Sequence, residues 1–274
     1  MGNMEVGVMM SVGWRLDQLK QVRDLGFTNV QIAAPPEDVL QDQAKRQALI
    51  NDLKAVGIDI TTLFVGFSGE SYADIPTVVE TVGYLNPATR DERVKKTGLI
   101  SDFAKALGVD KVAAHVGFVP EASDDPDYPP MVDTVGRVAD HCGQNGQMFS
   151  LETGQETAPA LLSFLKDLNR DNVKVNFDPA NMILYGSGEP IEALGIVGEY
   201  VVSAHAKDGK WPTRSGQLGT EYPLGQGDVG IDRFVAKLKE IGYDGPITIE
   251  REIPDWEQKM NDLVEARKLL ERLI

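Results

Sequence analysis

The chain has 274 residues, 42% of them hydrophobic and 25% charged, which is enough apolar material for a sizeable core and the profile of an ordinary globular protein. Forty-two acidic against 27 basic side chains give a formal charge of −15, a field that repels polyphosphates, so nucleic acid and anionic membrane surfaces are excluded as expected partners and a compact small molecule is favoured. Cys142 is the only cysteine, no apolar run reaches the length of a membrane span, and Glu5 and Arg15 interrupt the N-terminal apolar stretch, so the expectation is a soluble, cytoplasmic protein without disulfides; a homo-oligomer stays open.

Short apolar runs alternate with longer amphipathic patterns from one end to the other. The first four strands are expected over residues 5–10, 29–33, 59–65 and 111–115, each running into a segment rich in Gly, Pro or acid. Residues 66–89, with Gly69, Pro76, Gly83 and Pro87, read as an elaborated loop after the third strand, and residues 119–130 as a Pro-rich loop after the fourth. Four more strands are expected over 148–152, 173–178, 201–205 and 247–250, with helical patterns such as 160–168 and 232–241 between them. Eight strands in 274 residues leave about 34 residues per unit, the spacing of one (β/α)8 TIM barrel, so residues 1–274 are read as a single α/β domain. A doubly wound sheet is the competing architecture, but it usually has fewer strands, and no Gly-rich dinucleotide fingerprint follows the first strand.

Each of the last four strands ends in one potential metal ligand: Glu152, Asp178, His205 and Glu250. In a parallel barrel the C-terminal strand ends open into one mouth, so four residues scattered in sequence become neighbours. Three carboxylates and an imidazole buried together would be very costly without a counter-charge, and a divalent cation removes that cost. The donor set suits manganese, with magnesium, cobalt and zinc also admissible. Taken singly, each acid could equally cap a helix or pair with a lysine; four in succession favour the metal.

With these residues in place the chain resembles the xylose isomerase-like barrel superfamily, in its sugar phosphate isomerase/epimerase branch, which includes the ketose 3-epimerases. The resemblance covers nearly the whole chain. It implies that Glu152, Asp178, His205 and Glu250 bind the metal and that Glu152 and Glu250 are also the catalytic acid/base pair. Lys207-Asp208, the run 223–229, and the stretch from Pro87 through Arg90 and Arg93 to His115-Val116-Gly117 are similar too. Two places depart from the epimerase pattern. Asp178-Pro179-Ala180-Asn181 lacks the histidine that helps epimerases hold substrate, and Arg214 sits in a different local context from their arginine. The segment His205-Ala206-Lys207-Asp208 also resembles inosose dehydratases, whereas a total of three histidines argues against the histidine-rich cluster of endonuclease IV.

The chemistry expected is proton transfer beside a carbonyl, through an enediolate stabilised by the metal, on a sugar or sugar derivative. Return of the proton to the opposite face epimerises, return to the neighbouring carbon isomerises, and loss of a β-hydroxyl dehydrates; a dehydratase and a barrel that binds carbohydrate without transforming it are the alternatives. Substrate contacts are expected from Lys207, His115, Glu156, Asn181 and Trp14, with Phe67 and Trp211 as further aromatic candidates; Glu156 reads equally as a favourable charge at a helix start, and the three aromatics equally as core or rim packing. Lys207, Lys210 and Arg214 form a basic cluster, read either as a site for a phosphate or carboxylate or as solvated loop charges. Gly225-Gln226-Gly227 either turns backbone N–H groups toward the ligand or is only a turn, and His141 reads as structural.

Overall fold

Alternation along each strand decides which side chains meet, because successive residues point to opposite faces. The computed structural model describes residues 4–274. In chain order they form β1 (Val6–Met10), α1 (Leu16–Asp24), β2 (Asn29–Ala33), α2 (Glu37–Gln41), α3 (Gln43–Val56), β3 (Asp59–Val65), α4 (Ile75–Thr81), α5 (Arg90–Leu107), β4 (Lys111–Ala114), α6 (Tyr128–Gln144), β5 (Met148–Glu152) and α7 (Ala158–Leu168). Then come β6 (Val173–Phe177), α8 (Pro179–Tyr185), α9 (Pro190–Val197), β7 (Val201–Ala206), β8 (Asp208–Lys210), β9 (Thr220–Tyr222), α10 (Ile231–Glu240), β10 (Ile247–Ile249) and α11 (Trp256–Leu270). Eight parallel strands close in the order β1-β10-β7-β6-β5-β4-β3-β2, with helices outside, so the expected (β/α)8 barrel is present.

One set of alternate strand residues, among them Val8, Ile32, Leu63, Phe149, Val175 and Ile249, packs against the helices in the main core. The other set faces the barrel interior and is largely polar, with Gln31, Thr62, Ser150, Asn176, Ser203 and Thr248 all buried, while Met9, Phe64 and Ala113 form a small separate apolar cluster. Glu152, Asp178, His205 and Glu250 lie two residues beyond Ser150, Asn176, Ser203 and Thr248. They therefore inherit the inward direction at the level where the strands end.

Several local expectations change. Residues 66–89 contain α4, started by Asp74, whose carboxylate accepts the Thr77 N–H at 2.9 Å, with Pro76 in the first turn. The Pro-rich segment 119–130 gives way to α6 at Tyr128, because Pro129 and Pro130 fall in a first turn whose N–H groups need no helical partner. α10 runs Ile231–Glu240, one residue earlier than expected, after Gly230 at φ 71°. The antiparallel hairpin of β8 and β9 has three-residue strands and no apolar alternation to announce it.

Candidate metal centre

The His205 imidazole is held from inside the barrel. Its Nε2 lies 2.8 Å from Gln31 Oε1 on β2 and 3.3 Å from Asn176 Nδ2 on β6, and Ser203 and Gln31 in turn bond Asn176 Oδ1 at 2.5 and 3.4 Å. The shorter contact assigns the ring proton to Nε2, since only an N–H satisfies an amide oxygen at that distance. Nδ1 then carries a lone pair, and it faces Glu250 Oε2 at 2.9 Å, Glu152 Oε1 at 3.0 Å and Asp178 Oδ2 at 3.3 Å. Even a fully protonated ring has one N–H here for three carboxylates. Glu250 Oε2, although also 3.3 Å from Lys207 Nζ, receives no hydrogen bond of acceptable angle. One donor atom from each of the four residues lies within 4.8 Å of the others, and all four residues are buried. Lone pairs converging on one point, with the imidazole oriented by an amide behind it, fit a divalent cation.

Electrostatics point the same way. Burial disfavours a charged His205, yet Glu250, Asp178 and Glu152 hold its pKa well above the ordinary imidazole value, and the negative potential that would hold a proton there equally attracts a metal ion. Burial works against Glu152 as well, but His115 and His205 hold it well below the usual carboxylate range.

Local structure aims each carboxylate. Asp178 is both helix cap and inward-facing acid: Oδ1 accepts the Ala180 and Asn181 N–H groups at 2.8 and 2.9 Å at the start of α8, leaving Oδ2 for the centre. Thr153 Oγ1 bridges the backbone N–H and C=O of Asp178 at 2.8 and 3.0 Å. Glu152 Oε2 meets His115 Nε2 at 2.8 Å, and that carboxylate outweighs burial to raise the His115 pKa to about 9. Lys207 Nζ reaches Glu252 at 2.7 Å, Glu250 at 3.3 Å and Asn181 Oδ1 at 3.3 Å. Each of the two glutamates thus has its own basic neighbour.

A cavity of about 340 Å³ opens on the centre, bordered by Glu152, Glu250, His115, Asn181, Lys207 and the rings of Phe64, Tyr72 and Tyr185. Other expected contacts lie elsewhere. Trp14 borders a neighbouring cavity, its Nε1 donating to Ala33 O at 2.8 Å. Glu156 is buried outside the lining, where burial pushes its carboxyl up to about 7. Lys210 stands 4.4 Å over the Tyr222 ring and Arg214 is exposed, and of the three basic residues Lys207 alone borders the cavity. Trp211 is exposed at the surface, and Phe67 lines the same neighbouring cavity as Trp14. The Gly225 and Gly227 amides bond Asp208 Oδ2 at 2.9 and 3.0 Å, and Val229 N bonds Asp208 Oδ1 at 3.2 Å; the glycine turn is therefore clamped by a buried carboxylate. His141 pairs with Asp102 at 2.9 Å, joining α6 to α5. Gln31, Asn176, Tyr72 and Tyr185 escaped the sequence reading; a polar residue at the inward parity of an otherwise apolar strand is the signal that would have found the first two.

Residues 19–273 match the family of xylose isomerase-like TIM barrels. The chain belongs to that family. Within it, the chain is 45% identical to a xylose isomerase domain protein from Planctomyces limnophilus, whose crystal structure superposes with a TM-score of 0.93 over 98% of this chain and 97% of that one. It is 26% identical over 207 residues to an uncharacterised protein of Methanocaldococcus jannaschii, 69% of this chain and 67% of that one. It is 33% identical over 129 residues to the ketose 3-epimerase of Arthrobacter globiformis, 42% of this chain and 39% of that enzyme. Two more distant structures share the fold: a xylose isomerase-like TIM barrel protein from Mycobacterium smegmatis in complex with magnesium (20% identity, TM-score 0.70, 94% and 87% covered) and a probable 3-DHS dehydratase from Bacillus anthracis (16%, 0.67, 97% and 98%). No helix among the described residues is long and apolar enough to cross a membrane.

Proposed function

We propose that this barrel is a divalent-metal-dependent isomerase or epimerase of a sugar or sugar derivative, with Glu152, Asp178, His205 and Glu250 as metal ligands, manganese as the preferred ion, and Glu152 and Glu250 as the proton-transfer pair. The observation that carries the reading is the placement of the two glutamates. Each has an oxygen about 3 Å from His205 Nδ1, each borders the same cavity, and each has a basic residue against it. A bound divalent cation supplies the positive charge that makes a proton beside the substrate carbonyl acidic enough to remove. One glutamate, as carboxylate, takes that proton, and the other, protonated, returns a proton to the opposite face or to the adjacent carbon. Lys207 and Asn181 are positioned to hold a substrate oxygen, and His115 to take up or return the proton that Glu152 carries. The ketose 3-epimerase among the relatives supports sugar chemistry of this kind.

A lyase reading is favoured by one observation: Lys207 places an ammonium 3.3 Å from Glu250 in the cavity, where it can assist departure of a hydroxyl. Product analysis separates the two.

The test begins with the divalent-metal content of protein prepared with manganese, beside a His205→Ala variant prepared identically. Stoichiometric metal in the parent and its loss in the variant support the site; a folded parent that takes up none overturns it. With ketoses in heavy water, deuterium at the reacting carbon marks catalysis, and binding without exchange marks a silent barrel.

A further inference from the structure

We propose that the substrate carries an apolar aglycone, aromatic or aliphatic, and that a second cavity beside the metal centre binds it; the inference rests on the carbohydrate reading above. That second cavity measures about 770 Å³ against about 340 Å³ at the centre, and the two share Val12, Ala33, Gly66, Glu70 and Tyr72 as a common border. The smaller volume suits one sugar ring; the larger one leaves most of the mouth for something else.

The chemistry of its wall selects what that is. Most of its lining is apolar, with Trp14, Pro35, Pro36, Val39, Leu49 and Phe67 among the residues that form it. Two rings are held in place: Trp14 by its hydrogen bond to Ala33 O at 2.8 Å, and Phe67 between the edge of Tyr84 at 5.4 Å and the Arg93 guanidinium at 4.9 Å. Three of the polar groups in the wall already have neighbours. Glu70 accepts the N–H of Phe67 at 3.0 Å and of Gly83 at 2.9 Å, Arg15 pairs with Asp17 at 3.1 Å, and Lys96 Nζ lies 5.7 Å from the Phe67 ring centre. Ser68 and the Tyr72 hydroxyl are the uncharged polar side chains left in the wall, fewer than the several hydroxyls of a second sugar would need once buried; an apolar group needs none. At the border between the cavities Val12 is 86% and the Tyr72 side chain 44% exposed, left open where a ligand spanning both would cover them.

Calorimetric titration of the manganese-loaded protein with phenyl and with methyl β-D-glucopyranoside tests the proposal, together with saturation-transfer NMR on 4-nitrophenol alone. The expected result is at least ~tenfold tighter binding of the phenyl glycoside, which burial of one ring readily supplies, and saturation of the 4-nitrophenol ring. Val39→Trp, or Leu49→Trp should the first variant fold poorly, fills the cavity and is expected to abolish both effects with metal content intact. Equal binding of the two glycosides, or a phenyl preference that survives both variants, overturns the proposal and leaves the metal reading standing. If neither glycoside binds while 4-nitrophenol is held by the parent and lost by the variants, the cavity's apolar role stands and the sugar reading falls.

Discussion

The two halves of the barrel mouth do opposite things on the same scaffold. Where β5, β6, β7 and β10 end, the inward positions hold Glu152, Asp178, His205 and Glu250; at or just past the ends of β1, β2 and β3 the same parity falls on the uncharged Ser11, Ala33 and Gly66, with aromatic rings from the following loops. Backbone geometry cannot cause the difference, since the strands are parallel and alike. One residue per strand end decides whether that sector carries charge, while the closed hydrogen-bond ladder is the same on both sides. The charged sector also needs support from below, and part of it comes from the opposite half: Gln31 on β2 orients His205 on β7.

The largest expected effect breaks the charged half alone. Glu152→Gln keeps an oxygen donor but no base, so kcat should fall by about a thousandfold. Deuterium incorporation is the readout, and an exchange rate within a few-fold of the parent would remove Glu152 from the proton pathway. Next comes Glu156, a carboxyl of the charged half that lies outside the cavity. Its pKa is about 7 in the folded protein against an ordinary value of 4.5. The unfolded chain therefore releases this proton at lower pH than the folded one, and stability is lost as pH rises from about 4.5 to about 7, by about 3 kcal/mol at ~1.4 kcal/mol per pH unit. Glu156→Gln should recover that amount in urea unfolding at pH 8.5 and gain almost nothing at pH 4; a pH-independent difference would contradict the assignment to burial.

Gln31→Leu tests the link between the halves. Losing the partner of Nε2 should weaken manganese binding by about 10–100-fold in competition with a chelator, with turnover restored at saturating metal. Unchanged affinity would mean the ring needs no orienting amide. Gln31 also shows where sequence reading stops. The eight strands and the four strand-end residues that converge at the mouth were legible because both depend on local pattern: an apolar run of strand length, then an ionisable residue at its C-terminal end. Gln31 was not, since its partner lies 174 positions away and nothing near it in sequence names His205. Asp208 was visible as part of a motif and Gly225-Gln226-Gly227 as a turn, but that the Gly225, Gly227 and Val229 N–H groups serve the Asp208 carboxylate depends on a contact across 17 to 21 positions. The cavity beside the candidate metal centre is assembled from the loops after β1, β2 and β3 together with Val39 of α2, Leu49 of α3 and Lys96 of α5, segments brought together only in space.

The smallest expected effect belongs to the apolar half. Trp14→Phe keeps a ring against the second cavity but removes the N–H that serves Ala33 O at 2.8 Å, leaving a partly buried carbonyl without that donor. About 1 kcal/mol of stability should be lost, a shift readable in the urea midpoint. Manganese affinity should stay within about twofold of the parent, because no contact described for Trp14 reaches His205 or the carboxylates around it, and additivity holds for sites without shared partners. A change in metal affinity as large as that expected for Gln31→Leu would mean that Ala33, on the same strand as Gln31, transmits loop movement into the barrel interior. The two halves would then be one coupled unit, and a ligand in the apolar cavity would tune the metal centre as well as anchor beside it.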